Sequence, residues 1–394
     1  MSNPPRVISP AQARRIWLYA QRLDVAEPFG SGPEATLRAV EHLGYVQIDT
    51  IHVIERSHHH ILFTRIPSYQ RAHLMRAQGV DKSVFEYWTH ALSYVPTRDI
   101  RFFLGAMNAF RRAPSKWHQS ATLAATRKVL ALLKKNGSLT IRDIDDDVLV
   151  EKDHEWDSRK PSKRALQRAF YGGIVTISAR AGMLKTYALT DRHFGWAKRP
   201  KPASEREIVQ YRLERALRAQ GIVSIDSVCY LDAPRKQAVH RLIEAQCRRG
   251  ELIPVAIKGA EKTPHWMAPA WLEKPPEPIT DSVHLLSPFD PLIIQRKRLR
   301  LFFDYDHRFE AYVPKAKRKF GYFALPVLVD EAIVAAIDLK TDREQRKLRI
   351  QKWSWIGGGS ARAHKRRIEA ALHRFEQFQL AGSAIRVSEA SKES

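Results

Sequence analysis

The chain has 394 residues, 44% of them hydrophobic, which is enough for two to four domains with ordinary buried cores. Its 66 Lys and Arg outnumber its 42 Asp and Glu, and a surplus of +24 spread over most of the length makes sense when a polyanion neutralises it. Nucleic acid is the first candidate; an anionic membrane is the second, but no run of about 18 apolar residues is present to span one. The opening MSNPPRVISPAQARR has no apolar signal region, and two cysteines, Cys229 and Cys247, can build neither a disulfide framework nor a cysteine zinc site. A reducing cytoplasm is therefore the expected compartment.

Residues 1–8 read as a short disordered leader. Ser9 and Pro10 then stand in N-cap and first-turn order ahead of a helix, AQARRIWLYAQRL. After PFGSGPE a second helix runs from Glu34 to Leu43 and stops at Gly44. The next stretch, YVQIDTIHVIERSHHHILFTR, predicts a short strand over Tyr45–Ile48 and a helix over Ile51–Arg65. If the strand is extended, Gln47 and Asp49 leave it on one side and could hold one water. The alternative is a polar strand end with Asp49 capping the next helix. VFEYWTHALSYVP, residues 84–96, predicts an aromatic hairpin, and Thr97–Phe110 another helix.

The middle of the chain repeats one order. Ala124–Lys135 is amphipathic and ends at Asn136-Gly137; SLTIRDI gives a strand and a short helix; Pro161–Tyr171 is a basic helix; IVTISARAGMLKTYALT gives two strands. Ser204–Gln220, IVSIDSVCYL, the basic helix Pro234–Arg249 and ELIPVAIKG to TPHWMAP replay it. This is the order of a winged helix-turn-helix, and the first 110 residues read as a looser copy. PPEP marks a linker. HLLSPFD, FEAYVP, FGYFALPVLV, EAIVAAIDLK and LRIQKWSW predict a small antiparallel sheet or partial barrel, closed by a basic amphipathic helix over Ala361–Leu380. The expected class is α+β: three tandem winged helix-turn-helix modules (9–115, 116–200, 201–275), a β-barrel-like domain with its C-terminal helix (280–380), and a disordered tail (381–394).

P-loop, GxGxxG, HExxH, CxxC and GxSxG patterns are all absent. His58, His59 and His60 are adjacent on a predicted helix and face different directions, so they cannot jointly close a tetrahedral metal site; no metal and no cofactor is expected. Trp88 and His90, with Glu86, fall on one face of the hairpin, either in ordinary sheet packing or as a wing that stacks on bases. Lys160, Lys163, Arg164 and Arg168 accompany the basic helix of the second module, as Arg235, Lys236 and Arg241 do that of the third. Recurrence in two recognition-helix slots points to phosphate contact, with His59 and Arg65 as further DNA contacts.

VQIDTIHVIERSHHHILFTRIPSY, EYWTHALSYVP and LSPFDPLIIQRKRLRLFFDYDHRFEAYVPKAKRKFGYFALPVL, three separated blocks in order, resemble the bacterial AlkZ/YcaQ family of winged-helix DNA glycosylases over roughly residues 9–380. The resemblance implies a concave, DNA-cupping molecule that excises N7-alkylated guanine and unhooks interstrand crosslinks. The family's catalytic motif is Gln, an apolar residue, then Gln or Asp; here it matches as Gln47-Ile48-Asp49. The Asp version implies general repair rather than self-resistance to a single natural product.

Residue chemistry agrees with that implication. Breaking an N-glycosidic bond passes through an oxocarbenium-like sugar, which the Asp49 carboxylate would stabilise while accepting a proton from water held by Gln47. N7 alkylation already makes the guanine a good leaving group, and no lysine is marked as a lyase nucleophile, so hydrolysis by a monofunctional, monomeric enzyme on double-stranded DNA is expected. Two rivals remain. A non-enzymatic winged-helix DNA-binding protein or transcriptional regulator suits the charge without needing Asp49. A nuclease would need converging acidic ligands, and Asp143, Asp145, Asp146 and Asp147 read instead as a helix end and solvated loop.

Overall fold

The computed structural model describes residues 4–145, 148–152 and 158–381. Strand β1 (Arg6–Ile8) and helix α1 (Pro10–Ala20) come first, then α2 (Gly32–Leu43), β2 (Val46–Gln47), α3 (Ser57–Arg65), α4 (Arg71–Gly79), β3 (Val84–Trp88), β4 (Leu92–Pro96) and α5 (Arg101–Arg112). The middle holds α6 (Leu123–Asn136), β5 (Ser138–Thr140), α7 (Pro161–Tyr171), β6 (Val175–Ala181), β7 (Leu184–Leu189) and α8 (Thr190–Phe194). Next follow α9 (Glu205–Gln220), β8 (Ile222–Val223), α10 (Ile225–Val228), α11 (Lys236–Arg248), β9 (Ile253–Ile257), β10 (His265–Met267) and α12 (Ala270–Glu273). The last segment holds β11 (Val283–Leu285), α13 (Arg296–Phe303), β12 (Ala324–Val329), β13 (Ala332–Asp342), β14 (Lys347–Trp355) and α14 (Ala361–Leu380). The fold is α+β with small, mainly antiparallel sheets. The expected tail, 381–394, lies almost wholly outside the described residues, as do Asp146 and Asp147.

Local chemistry explains several element ends. Ser9 and Gln12 satisfy each other's backbone N–H groups in a capping box, 3.1 and 2.9 Å, with Pro10 in the first turn. Ser204 and Glu207 do the same for α9. Helix α2 ends at Gly44, whose φ of +77° is open to glycine at no steric cost.

One strand order recurs three times: β2-β4-β3, β5-β7-β6 and β8-β10-β9, each the short strand, then the last, then the middle. The third sheet gains β1, which pairs in parallel with β9 from Arg6↔Val255 to Ile8↔Ile257. The expected disordered leader is thus corrected for residues 6–8, which β9's open edge orders. The final sheet runs β11-β12-β13-β14, open at both ends, and FEAYVP is not one of its strands. Glu310 in that segment instead gathers the N–H groups of Lys319, Phe320 and Gly321 at 2.7, 2.7 and 3.2 Å, folding it as a loop.

Strands β12 and β13 of this last sheet are buried on both faces, which explains their near-continuous apolar sequences, whereas β14 is largely exposed. Leu325, Val327, Ala335 and Ile337 pack with Ala39, Val40, Ile61 and Leu62 of α2 and α3 and with Phe375 of α14. Ala324, Leu328, Ile333 and Ala336, alternating with them, pack with Trp17 of α1, Phe302 of α13 and Met267 of β10. The sheet therefore joins the first and third units, and a third core joins the β3–β4 hairpin to α6, α7 and β6.

Candidate active site

Strand β2 pairs Val46 with Tyr94 and Gln47 with Ser93, and Ile48 N–H bonds Leu92 O at 2.8 Å. Val46 and Ile48 enter the core, so Gln47 leaves on the opposite side. Its side-chain oxygen meets His90 Nε2 at 3.0 Å. An amide oxygen can only accept, so His90 carries its proton on Nε2. Burial, reinforced by nearby Arg215, pushes His90 down to about 4, leaving the imidazole neutral at pH 7. The ring is held edge-on between Tyr45 and Tyr230, centroids 5.0 and 5.4 Å away. With its oxygen occupied, Gln47 has its NH2 group left to donate.

Asp49 follows at the end of the strand, half-buried. Its carboxylate accepts Ile51 N–H at 2.8 Å, closing a local turn rather than capping a helix. Burial raises its pKa above the ordinary 3.8, partly offset by the N–H groups of Ile51 and Thr50. The predicted helix over Ile51–Arg65 begins only at Ser57. The carbonyls a longer helix would use are taken from across the molecule: Arg343 donates to His52 O and Ile54 O, both at 3.1 Å, and Thr341 N–H to Val53 O at 2.9 Å. The loop bearing Asp49 is thereby fastened to the end of β13. Buried Glu55 anchors it further through Arg71, whose guanidinium also lies over Phe378 at 4.6 Å.

The three histidines diverge. His58 is buried against Tyr94, His59 Nδ1 meets Tyr69 Oη at 2.7 Å, and His60 Nε2 donates to Leu285 O at 2.8 Å. Among the described residues no three His, Cys, Asp or Glu side chains cluster as a metal site.

A family model described as DNA glycosylase AlkZ-like matches residues 40–378. The chain belongs to the AlkZ-like DNA glycosylase family. The solved structure of the Streptomyces sahachiroi DNA glycosylase AlkZ superposes with a TM-score of 0.60 at 15% identity, over 95% of this chain and 97% of that one. The fold is shared while the sequences have diverged widely. No helix among the described residues is long and apolar enough to cross a membrane.

The cations expected at DNA separate into two groups in this AlkZ-like glycosylase. Arg65 is corrected: fully enclosed, it grips Asp290 at 2.7 and 3.0 Å and Gln21 Oε1 at 2.8 Å, tying α3 to the segment after β11. Arg164 is corrected too, because it is buried and donates to Ser158 O at 2.6 Å and to Glu151 O. Arg168 donates to Ala121 O at 2.9 Å, Arg235 bridges Glu205 and Asp232 at 2.6 and 2.9 Å, and Lys236 pairs with Asp226 at 2.6 Å. Lys160, Lys163 and Arg241 are exposed. His59, half-buried on Tyr69, faces inward more than the expectation had it. Trp88 stands 48% exposed at the hairpin end, while Glu86 on the same strand is buried in a pair with Arg180 at 2.5 and 2.6 Å. Sequence reasoning missed Arg343, Tyr230 and the Gln47–His90 bond, since each arises from a long-range contact.

Proposed function

We propose that this glycosylase hydrolyses the N-glycosidic bond of N7-alkylated guanine in duplex DNA, including the bonds that tie interstrand crosslinks. The observation that carries the reading is a half-buried Asp49 carboxylate two residues beyond a Gln47 amide whose oxygen His90 binds. Gln47 NH2 holds the water; Asp49 faces the sugar, stabilises its developing positive charge and takes the proton as the water attacks. The cationic alkylguanine leaves without an acid. A monofunctional enzyme needs nothing further, and a monomer suffices. Within this reading 9–115, 116–200 and 201–275 are winged-helix modules, which the threefold recurrence of one strand order supports, and 280–380 is a domain built on an open four-stranded sheet that braces them. Lys160, Lys163 and Arg241 supply phosphate contacts.

The test is incubation of the protein with duplexes carrying N7-methylguanine or a nitrogen-mustard crosslink, with EDTA present. The reading expects free base and an intact, abasic strand. Strand cleavage without base release, or no release from any alkylated duplex, contradicts it.

A further inference from the structure

Between the hairpin end, α5 and the third unit lies a cleft of about 980 Å³. It is lined by aromatic side chains, among them Trp88, Phe102, Tyr211 and Tyr230, and His90 sits in its wall with Gln47 directly behind. Two of its three arginines are neutralised: Arg212 pairs with Asp232 at 2.9 Å, and Arg235 with Asp232 and Glu205. Arg215 differs. Among the described residues no carboxylate lies within ion-pairing distance of it, and its guanidinium stacks over Tyr45 and Tyr211, each 5.6 Å from the ring centre. Its stem crosses Gly44 so closely that a Cβ there would fall 2.3 Å from Arg215 Cδ. The glycine that ends α2, three residues before Gln47, thus also admits the one cleft arginine without a carboxylate. At the rim, Trp88 and Leu231 are 48% and 75% exposed, and Leu231 holds a left-handed backbone, φ +56°.

Flat aromatic faces beside an uncompensated guanidinium are the combination that binds an unpaired nucleotide, bases stacking on the rings and phosphate meeting the cation. We propose that the cleft receives an unpaired nucleotide of the DNA substrate, stacked on Trp88 with its phosphate at Arg215. The site rests on the reading of the chain as a glycosylase acting on duplex DNA. It lies against His90, so an occupant would press on the residue that orients Gln47 and couple duplex opening to the water site.

The experiment compares binding of the full chain to a paired duplex and to the same duplex with a three-nucleotide mismatched bubble, at equal salt. Base stacking of roughly 1–3 kcal/mol predicts about tenfold tighter binding to the bubble. Trp88→Ala should remove most of that preference and leave the paired duplex within about twofold. Arg215→Lys, which keeps the charge and loses the stacked plane, should lower bubble affinity selectively; thermal unfolding of both variants confirms that they are folded. Equal affinity for the two duplexes, or equal losses on both, overturns the assignment. Base release from N7-methylguanine DNA is read separately: release without bubble preference removes the cleft assignment alone, and preference without release removes the lesion reading while leaving the cleft.

Discussion

Asp290→Ala should unfold the molecule more readily than any surface change. Arg65 and Asp290 are both fully enclosed, and the guanidinium makes two of its close contacts, 2.7 and 3.0 Å, to this carboxylate. Removing one partner of a buried pair leaves an uncompensated charge and costs about 3–5 kcal/mol. Leu292 N–H, bonded to Asp290 Oδ1 at 2.9 Å, loses its acceptor as well, for about 1 kcal/mol more. Gln21, bonded to Arg65 through both its side chain and its backbone, keeps the total from rising further. Urea unfolding of the full chain at pH 7, followed by circular dichroism, reads the loss. The double variant Arg65→Met/Asp290→Leu should recover most of it, because two apolar groups need no partner. The same double variant should bind DNA with an unchanged salt slope, whereas a phosphate-contacting Arg65 would lower that slope by about one. A single variant within about 1 kcal/mol of the parent, or a reduced slope, would refute the assignment of Arg65 as a strut.

Three further outcomes follow from the site. The working form of Asp49 is the carboxylate, and burial raises its pKa, so kcat/KM should fall on the acid side through a midpoint above 3.8; a limb at or below that value contradicts the buried environment. His90→Leu deprives the Gln47 amide oxygen of its donor and should lower kcat by about 10–100-fold, while His90→Gln, which offers an amide N–H, restores part of the rate. Lys160→Ala and Lys163→Ala should each reduce the salt slope of DNA binding by about one, whereas Arg164→Ala should lower stability instead, because its guanidinium is committed to backbone carbonyls.

How much of this was legible depended on whether the deciding contact was local. Helices α7 and α14 were readable to the residue, since their boundaries rest on Pro161 in a first turn, Gly172, and the Ser360 cap. The replay of helix, strand, helix and hairpin was visible because apolar periodicity and turn residues recur together. The start of α3 was not, because Arg343 takes the carbonyls of His52 and Ile54 from nearly 300 positions downstream. Nor could composition separate Lys163 from Arg164, adjacent on one helix: one is exposed, and the other reaches loop carbonyls at Ser158 and Glu151. In the site, Gln47 and Asp49 stood out as polar residues in an apolar run. The bond from His90 that gives Gln47 its orientation depends on the pairing of β2 with β4, which sets the hairpin turn beside the strand end.

The most direct test of the account is single-turnover base release from an N7-methylguanine duplex by Asp49→Asn. Burial disfavours the ionised carboxyl, so any stability from this group is full below pH 3.8 and is lost as pH rises through its raised pKa; the neutral amide should leave the fold at neutral pH at least as stable as the parent. Asp49→Asn should give a folded protein that binds DNA normally and releases no base above the uncatalysed rate, with Gln47→Ala slowed but active. Parental rates from Asp49→Asn would contradict the account.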